Sequence, residues 1–519
     1  MSRSVPGFAQ PAGLFIAARL INIVVGLAMI PLLIHFLGGI GFATWAILLS
    51  CSAVFTQLQL GIPTALVREV AVRPDHATAP GLWSSAAVLL VAIYASLLPL
   101  VTLSAAPLGE WLRLPLVGPW QPGVAIVAVY VCVAVRAVLL TGSDSLVAAL
   151  RFHYVAGLSL AQALVSNTAA TVAAGFTRDV GRTLIAFWLA QLVVVGAGCL
   201  LAQRHLGWRP RLRLSDRRDM KGLVAYGAKI QLGEWAQTIN FQADKFIIVR
   251  MLGLWPAALY EVANRSILAL RSIPASGMDT FLPIAAKEAG AGEDLSAAAR
   301  RMSVAALYGV LVLFAAPLAV APMFLYAWVG EMGYISRHVF TCLAIGTAAN
   351  LLTRPVTALA QAAGHPQIPA RAATVSILLN VPLSLALVRT WGVEGAALGS
   401  SVAMIIGALV LLHEARMRLD TEAATAVGDA LARQWPLAVV CLAWGTGVHL
   451  TFRHWFLATP ISVRYGVGLR IRAGVIALVL YAACLVVLAI VKMRVVGLDE
   501  RELEVVTAVR AAVRRKLRL

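Results

Sequence analysis

Apolar stretches of about 20 residues, each long enough to cross a bilayer core of about 30 Å, follow one another along almost the whole 519-residue chain. No soluble core needs so many. Charged residues make up only 13% of the sequence, about half the share usual in soluble proteins, and the mean hydropathy is +0.84. The pattern predicts an all-α integral membrane protein. Spans are expected near 13–36, 41–66, 82–106, 121–148, 156–176, 182–202, 222–250, 256–286, 302–329, 338–363, 367–388, 393–415, 436–452 and 471–491, about fourteen in all. No small-residue cleavage site follows the first span, so it is expected to be retained as a helix.

The chain also repeats itself. Leu37 to Trp45 reads LGGIGFATW and Leu252 to Tyr260 reads LGLWPAALY, an offset of 215. The same offset sets Arg19 opposite Glu234 and Asn22 opposite Gln237, and Asn167–Thr177 aligns with Asn380–Thr390 at 213. Two homologous six-helix lobes follow from this. The expected divisions are 1–202 for the first lobe, 203–221 for a basic linker, 222–418 for the second lobe, 419–493 for two additional helices and 494–519 for a basic tail. Six spans per lobe is an even number, so the lobes share one orientation around a central cavity.

The net charge of +19 is concentrated in connections. Arg204, Arg209, Arg211, Arg213, Arg217, Arg218 and Lys221 crowd the linker, and Arg510, Arg514, Arg515, Lys516 and Arg518 the tail. The positive-inside rule then places both termini in the cytoplasm, and no nucleic-acid partner is needed to explain the charge. One connection disagrees: Arg453, Arg464, Arg470 and Arg472 fall on the expected outer side. The six cysteines lie within apolar runs without metal or disulfide spacing, so they read as packing residues.

Charges inside the spans carry the functional signal, because a charge at mid-bilayer costs roughly 2.5–3.5 kcal/mol on insertion scales. Arg19 and Asn22 share a face of span 1; Ser52, Thr56 and Gln59 one of span 2; Arg136 and Asp144 one of span 4. Span 7 carries Glu234, Gln237, Asn240 and Asp244; span 8 carries Glu261, Arg265 and Arg271; span 10 carries Asn350, Arg354, Thr357 and Gln361. Such stripes must face protein or water, and together they predict a hydrated cavity between lobes. Plainer readings compete. Glu261 and Arg265 have the spacing of an intrahelical pair. Lys245 and Arg250 fit the outer end of span 7, where they would snorkel. Arg68 and Glu69 fit the inner end of span 2. Pro31, Pro63, Pro274, Pro317, Pro355 and Pro382 read as kinks at depth.

Several runs resemble a known family. GLFIAARLINIVVGLAMIPLLIHFLGGIGFATWAILLS from Gly13, LGIPTALVREVA from Leu60, DKFIIVRMLG from Asp244, ALYEVANR from Ala258 and GVEGAALGSSVA from Gly392 are similar to the polysaccharide transporter family, the lipid-linked oligosaccharide flippases of the multidrug/oligosaccharidyl-lipid/polysaccharide exporter superfamily. The resemblance spans roughly residues 10–415. It implies two lobes around a cavity, two extra helices, and translocation of a polyprenyl-diphosphate-linked glycan to the outer leaflet of a bacterial cytoplasmic membrane. A polysaccharide polymerase and its chain-length machinery are the implied partners, beside membrane lipids.

Within that frame Arg19, Arg136, Arg271 and Arg354 are the expected anion-binding cations, since a guanidinium stays charged and pairs with phosphate oxygens. Asn22, Gln59, Gln237, Asn240, Arg265, Asn350, Thr357 and Gln361 are the expected polar lining. Asp144, Glu234, Asp244 and Glu261 are candidates for coupling to a proton or sodium ion. No organic cofactor, bound metal or catalytic residue is expected. The nearest rival is a cation-coupled multidrug antiporter of the same superfamily, although Arg19 in the first span favours an anionic substrate. A membrane glycosyltransferase or polymerase would need acids or a domain in an outer loop, where only Glu110, Asp179, Glu331 and Glu394 lie. A scaffold without transport leaves the intramembrane charges unexplained. No GxxxxGK[ST] loop supports direct ATP use.

Overall fold

The computed structural model describes residues 9–72, 79–149, 151–206, 217–279, 316–362, 367–418 and 467–491, with isolated positions at 310, 365 and between 440 and 454. The protein is helical throughout these residues. The one bridge of extended type joins Val117 to Trp120 in the turn between α3 (Ala79–Trp111) and α4 (Pro122–Ala148).

Two glycines break very long helices. α1 (Ala9–Thr56) has 48 residues, which would measure about 72 Å if straight, more than twice a bilayer core. It breaks at Gly38, whose φ of 71° and ψ of 173° lie outside the helical region. The other is Gly392 (φ 59°), inside a 52-residue helix, α13 (Gln367–Arg418). Its two arms lie against each other: Ile368 and Ala372 pack on Leu411 and Ala415, and Arg371 reaches Glu414 across 3.4 Å. Only glycine takes such angles without strain. The repeat partner of Gly38, Gly253, also has positive φ, at 95°, and separates α7 (Arg217–Leu252) from α8 (Leu254–Asp279). The repeated LG motif therefore marks the same backbone event twice.

The other helices are α2 (Ile62–Val72), α5 (Phe152–Thr177), α6 (Val180–Leu206), α9 (Ala316–Val329), α10 (Glu331–Ile335), α11 (Arg337–Leu352), α12 (Arg354–Ala362) and α14 (Val467–Val491). Eight helices among the described residues are long and apolar enough to span a membrane, and two of these are the bent α1 and α13. This is a multi-pass membrane protein. Parts of the expected ninth and thirteenth spans, residues 302–315 and much of 436–452, fall outside the described residues.

Two proline expectations need correction. Pro63 is the second residue of α2, after Leu60 and Gly61 adopt positive φ. Pro355 is the second residue of α12, after Thr353 interrupts the preceding helix. At the start of a helix proline lacks only an amide that has no partner there, so both residues begin helices instead of kinking them. Gln59, just before the Leu60–Gly61 break, sits in a 3-10 turn (Gln57–Gln59) and does not continue the helical face of Ser52 and Thr56.

The chain forms two compact units. One comprises Met1–Ala269 with Ala373–Ala403. Its helices close on small residues: a Cβ on Gly142 would lie 2.7 Å from the Cys199 Cα, and one on Gly123 would lie 3.0 Å from the Ala106 nitrogen. Aromatic residues lock the remainder, with the Tyr130 hydroxyl donating to the Tyr94 carbonyl (2.6 Å) and the Tyr94 hydroxyl to the Phe55 carbonyl (3.0 Å). α2 meets α7 backbone to backbone: a Cβ on Gly61 would come 2.9 Å from the Gly227 Cα and closer still to its carbonyl oxygen. Gln231 donates to Gln57 (2.8 Å) and Arg68 lies 4.3 Å from the centre of the Tyr226 ring along the same seam. Arg68 also touches Glu69 at 3.3 Å near the end of α2.

The second unit comprises Leu270–Ala372 with Met404–Leu519. Met323 and Tyr326 of α9 pack with Ala473 and Ala477 of α14 and with Val448 and Phe452. Lower on α14, Cys484 and Leu488 rest against Leu352, Val440 and Trp444. Arg470 at the start of α14 donates to the Trp328 carbonyl at 2.8 Å.

Candidate functional site

In the first unit, α7 places two adjacent ionic residues, Asp244 and Lys245, in the interior, 1% and 5% exposed. Asp244 is surrounded by oxygen. Tyr260 donates to its Oδ2 at 2.8 Å, Ser384 to its Oδ1 at 2.8 Å, and Ser400 also donates to its Oδ2. The Asn380 Oδ1 lies 3.2 Å from the Ser384 hydroxyl and 3.0 Å from that of Ser400. The Ala396 carbonyl lies 3.4 Å from the Ser384 hydroxyl. Acceptor oxygens outnumber the three hydroxyl protons that serve them. Such a set suits a small hard cation, which prefers oxygen donors. Among the described residues no group of three or more His, Cys, Asp or Glu side chains converges.

Asp244 was expected from the sequence; Tyr260, Asn380, Ser384 and Ser400 were not. Their signal was present but weak. Asn380 and Ser384 stand four apart, on one helical face, within the segment that carries the 213 repeat.

Lys245 corrects the sequence reading. It does not snorkel. Its Nζ pairs with the Glu261 Oε2 at 2.7 Å and lies 3.4 Å from the Ser50 hydroxyl. Glu261 is shared, since its Oε1 accepts from Arg265 at 2.6 Å, the intrahelical pair that the spacing predicted. Removing a lone ammonium from water is costly, and only a close counter-charge makes it tolerable. Asn264, beside them on α8, is 6% exposed and its Nδ2 has no hydrogen-bond acceptor.

A separate polar group spans α4, α5 and α6. Arg136 donates through Nε to the Gln191 Oε1 at 3.3 Å. Gln191 also accepts from Gln162 and donates to Ser166 at 3.3 Å. Asn22 donates to Ser159 at 3.2 Å, while its buried Oδ1 has no donor. Asp144, eight residues from Arg136, has a buried Oδ2 with no hydrogen-bond partner and makes no ion pair within 4.0 Å among the described residues. Gln59 is half-buried in its turn.

In the second unit, Arg271 donates to the Asn350 Oδ1 at 3.4 Å. Arg354 is half-buried at the start of α12, and Thr357 bonds back to the Thr353 carbonyl at 3.4 Å. Gln361 is exposed. The stripe expected along one continuous tenth span is interrupted at Thr353, so Asn350 belongs to α11 and Arg354, Thr357 and Gln361 to α12. The side chains of Arg19, Glu234, Gln237 and Asn240 lie outside the described ones.

The fold matches several solved transporters. The chain superposes on the lipid II flippase MurJ in an inward closed conformation with a TM-score of 0.65, at 13% identity, covering 91% of this chain and 98% of that one. An inward-facing multidrug resistance transporter of the MATE family, in the MOP superfamily, gives 0.59 at 14% identity, covering 80% and 99%. The Vibrio cholerae MATE transporter VcmN gives 0.51 at 16%, covering 82% and 97%. No curated protein sequence matches the chain. At these identities the likeness concerns the fold. The sequence itself, over residues 8–287, matches the family described as polysaccharide biosynthesis protein. That match covers more than half of the chain: the protein belongs to the polysaccharide biosynthesis protein family and has the helical fold of MOP superfamily transporters.

Proposed function

We propose that this protein flips a polyprenyl-diphosphate-linked oligosaccharide from the inner to the outer leaflet of a bacterial cytoplasmic membrane by alternating access, with both termini in the cytoplasm. The observation that carries the reading is how one intramembrane arginine is held. Arg136 hydrogen-bonds to an amide oxygen, that of Gln191. An amide fixes a guanidinium without cancelling its charge, and planar N–H forks match phosphate oxygens. Arg19, Arg271 and Arg354 complete the proposed set. Family membership supports a glycan-bearing substrate, and the MurJ fold supports a lipid-linked one.

Asp244 is the proposed carrier of the coupling ion. Its hydroxyl, amide and carbonyl neighbours offer oxygen ligands for sodium, and turning the hydroxyl protons outward would clear them for the ion. That same shell favours a second reading, a cation-coupled antiporter for small molecules, which the MATE-like fold also accommodates.

The experiment replaces Arg19, Arg136, Arg271 and Arg354 singly with Ala in cells and measures outer-leaflet exposure of the lipid-linked glycan at matched protein levels. Loss of exposure supports the flippase. Wild-type exposure in all four variants overturns the cationic-cavity reading, and a drug-efflux phenotype with normal glycan export moves the assignment to the antiporter.

A further inference from the structure

α7 and α8 are stitched together by two consecutive residues on each helix. Tyr260 donates to Asp244 at 2.8 Å, and the next residues along, Glu261 and Lys245, pair at 2.7 Å. Glu261 then holds Arg265 at 2.6 Å. Only the last member of this chain is exposed. The Lys245 and Glu261 side chains are 7% and 1% exposed, whereas that of Arg265 is 37% exposed. The oxygen cluster and the ionic chain that ends at the more exposed Arg265 are thus joined through the main chain of two adjacent residues on each helix.

Packing alone does not call for these charges. At the offset of 215 the first repeat carries Met29, Ile30, Trp45 and Ala46 in place of Asp244, Lys245, Tyr260 and Glu261. All four are buried, and both junctions turn at a positive-φ glycine, Gly38 or Gly253. The same corner is therefore built once from apolar side chains and once from ions. A buried ion pair is commonly no more stabilising than well-packed apolar residues of its size, so the second version has another use.

We propose that Lys245 and Glu261 are positioning residues that couple the ion site at Asp244 to anion binding by Arg265. The proposal rests on the reading of Asp244 as ion carrier and of Arg265 as a polar residue of the substrate path. Without a cation, the Tyr260 hydroxyl ties α8 to α7 and Glu261 is divided between Lys245 and Arg265. A cation on Asp244 takes over the carboxylate and frees the Tyr260 hydroxyl. α8 then shifts at Tyr260, and its neighbour Glu261 turns fully to Lys245. Arg265 loses its carboxylate partner and becomes available to a diphosphate oxygen. Linkage makes the effect reciprocal: the anion raises cation affinity by the same factor.

The test uses the full-length protein in lipid nanodiscs with farnesyl diphosphate as probe, in sodium chloride or choline chloride. Wild type is expected to bind the probe about fivefold or more tightly in sodium, the lower range of allosteric couplings. Lys245→Ile, which installs the residue of the first repeat, should still bind sodium, read by tryptophan fluorescence, and still bind the probe, but with equal affinity in both salts. Lys245→Arg should restore the difference, which a merely structural role would not require. The proposal is overturned if Lys245→Ile keeps the wild-type sodium dependence. It is equally overturned if wild type binds the probe without any sodium dependence, an outcome that leaves the flippase reading standing. If wild type binds no probe at all, the flippase reading falls and the proposal falls with it.

Discussion

Arg470 and Trp328 stand 142 residues apart in sequence and are joined by a hydrogen bond of 2.8 Å from the guanidinium to the carbonyl. Trp328 lies in the last turn of α9, where carbonyls lack helical partners. Gly330 follows with φ of 73°, and its amide returns to the Tyr326 carbonyl at 2.8 Å. The glycine closes one orphan acceptor and the arginine another, at the negative end of the helix dipole. Arg470 belongs to the one connection whose charge disagreed with the positive-inside pattern. Its contact with α9 gives Arg470 a structural role.

Arg470→Ala should therefore lower stability by about 1.5–3 kcal/mol, the range for hydrogen bonds to charged groups, with Arg470→Lys retaining part of the loss. Thermal unfolding of the purified protein in detergent reads this. Identical melting of Arg470→Ala and wild type would show that the cap carries no weight.

The two partners of the Lys245–Glu261 pair should not respond equally. Lys245→Ile leaves Glu261 with Arg265 still at 2.6 Å. Glu261→Ala strands Lys245 in the interior, and breaking a buried pair from that side costs about 3–5 kcal/mol. The expectation is a much lower melting temperature and yield for Glu261→Ala than for Lys245→Ile. The reverse order would mean that Arg265 does not compensate.

Ser384→Ala and Ser400→Ala each remove one hydroxyl from the Asp244 carboxylate, at a cost of about 1 kcal/mol apiece. The double variant should fold yet lose the response of intrinsic fluorescence to sodium, because two of the oxygens around Asp244 are gone. An unchanged sodium titration would place the ion elsewhere.

Gly61→Ala and Gly227→Ala should each be destabilising, by about 1–3 kcal/mol or more. At Gly61 the cause is twofold, a φ of 67° and a Cβ directed into the Gly227 backbone. At Gly227 it is contact alone, with the Leu60 carbonyl and the Gly61 main chain. Melting temperatures and the yield of monodisperse protein check both, and wild-type values for Gly227→Ala would refute the close crossing.

The sequence carried the helical class, the repeat and the local pair Glu261–Arg265, because each is encoded within a few residues or by the period of one element. The repeated LG motif even located two backbone turns. It did not reveal what Lys245 pairs with. Near the end of a span, an apolar stem and an ammonium read the same whether the head faces water or a carboxylate on another helix, and the choice depends on Glu261 lying opposite. Ser384 and Ser400 escaped notice for a related reason. A serine on an apolar helix is ordinary by itself, and these two gain meaning only where α13 brings them to Asp244. The breaks at Leu60–Gly61 and Thr353 were hidden because an apolar run keeps its hydropathy through a turn.

Gly61 and Gly227 have a further consequence. Most helix pairs interlock through side chains, so one helix can advance along the other only by rotamers giving way in steps. Where Gly61, just before α2, meets Gly227 of α7 there are no such teeth, and bare main chain lies on bare main chain. The seam has the form of a plain bearing, held by polar latches: the Gln57–Gln231 and Trp235–Gln57 hydrogen bonds and the Arg68–Tyr226 stack.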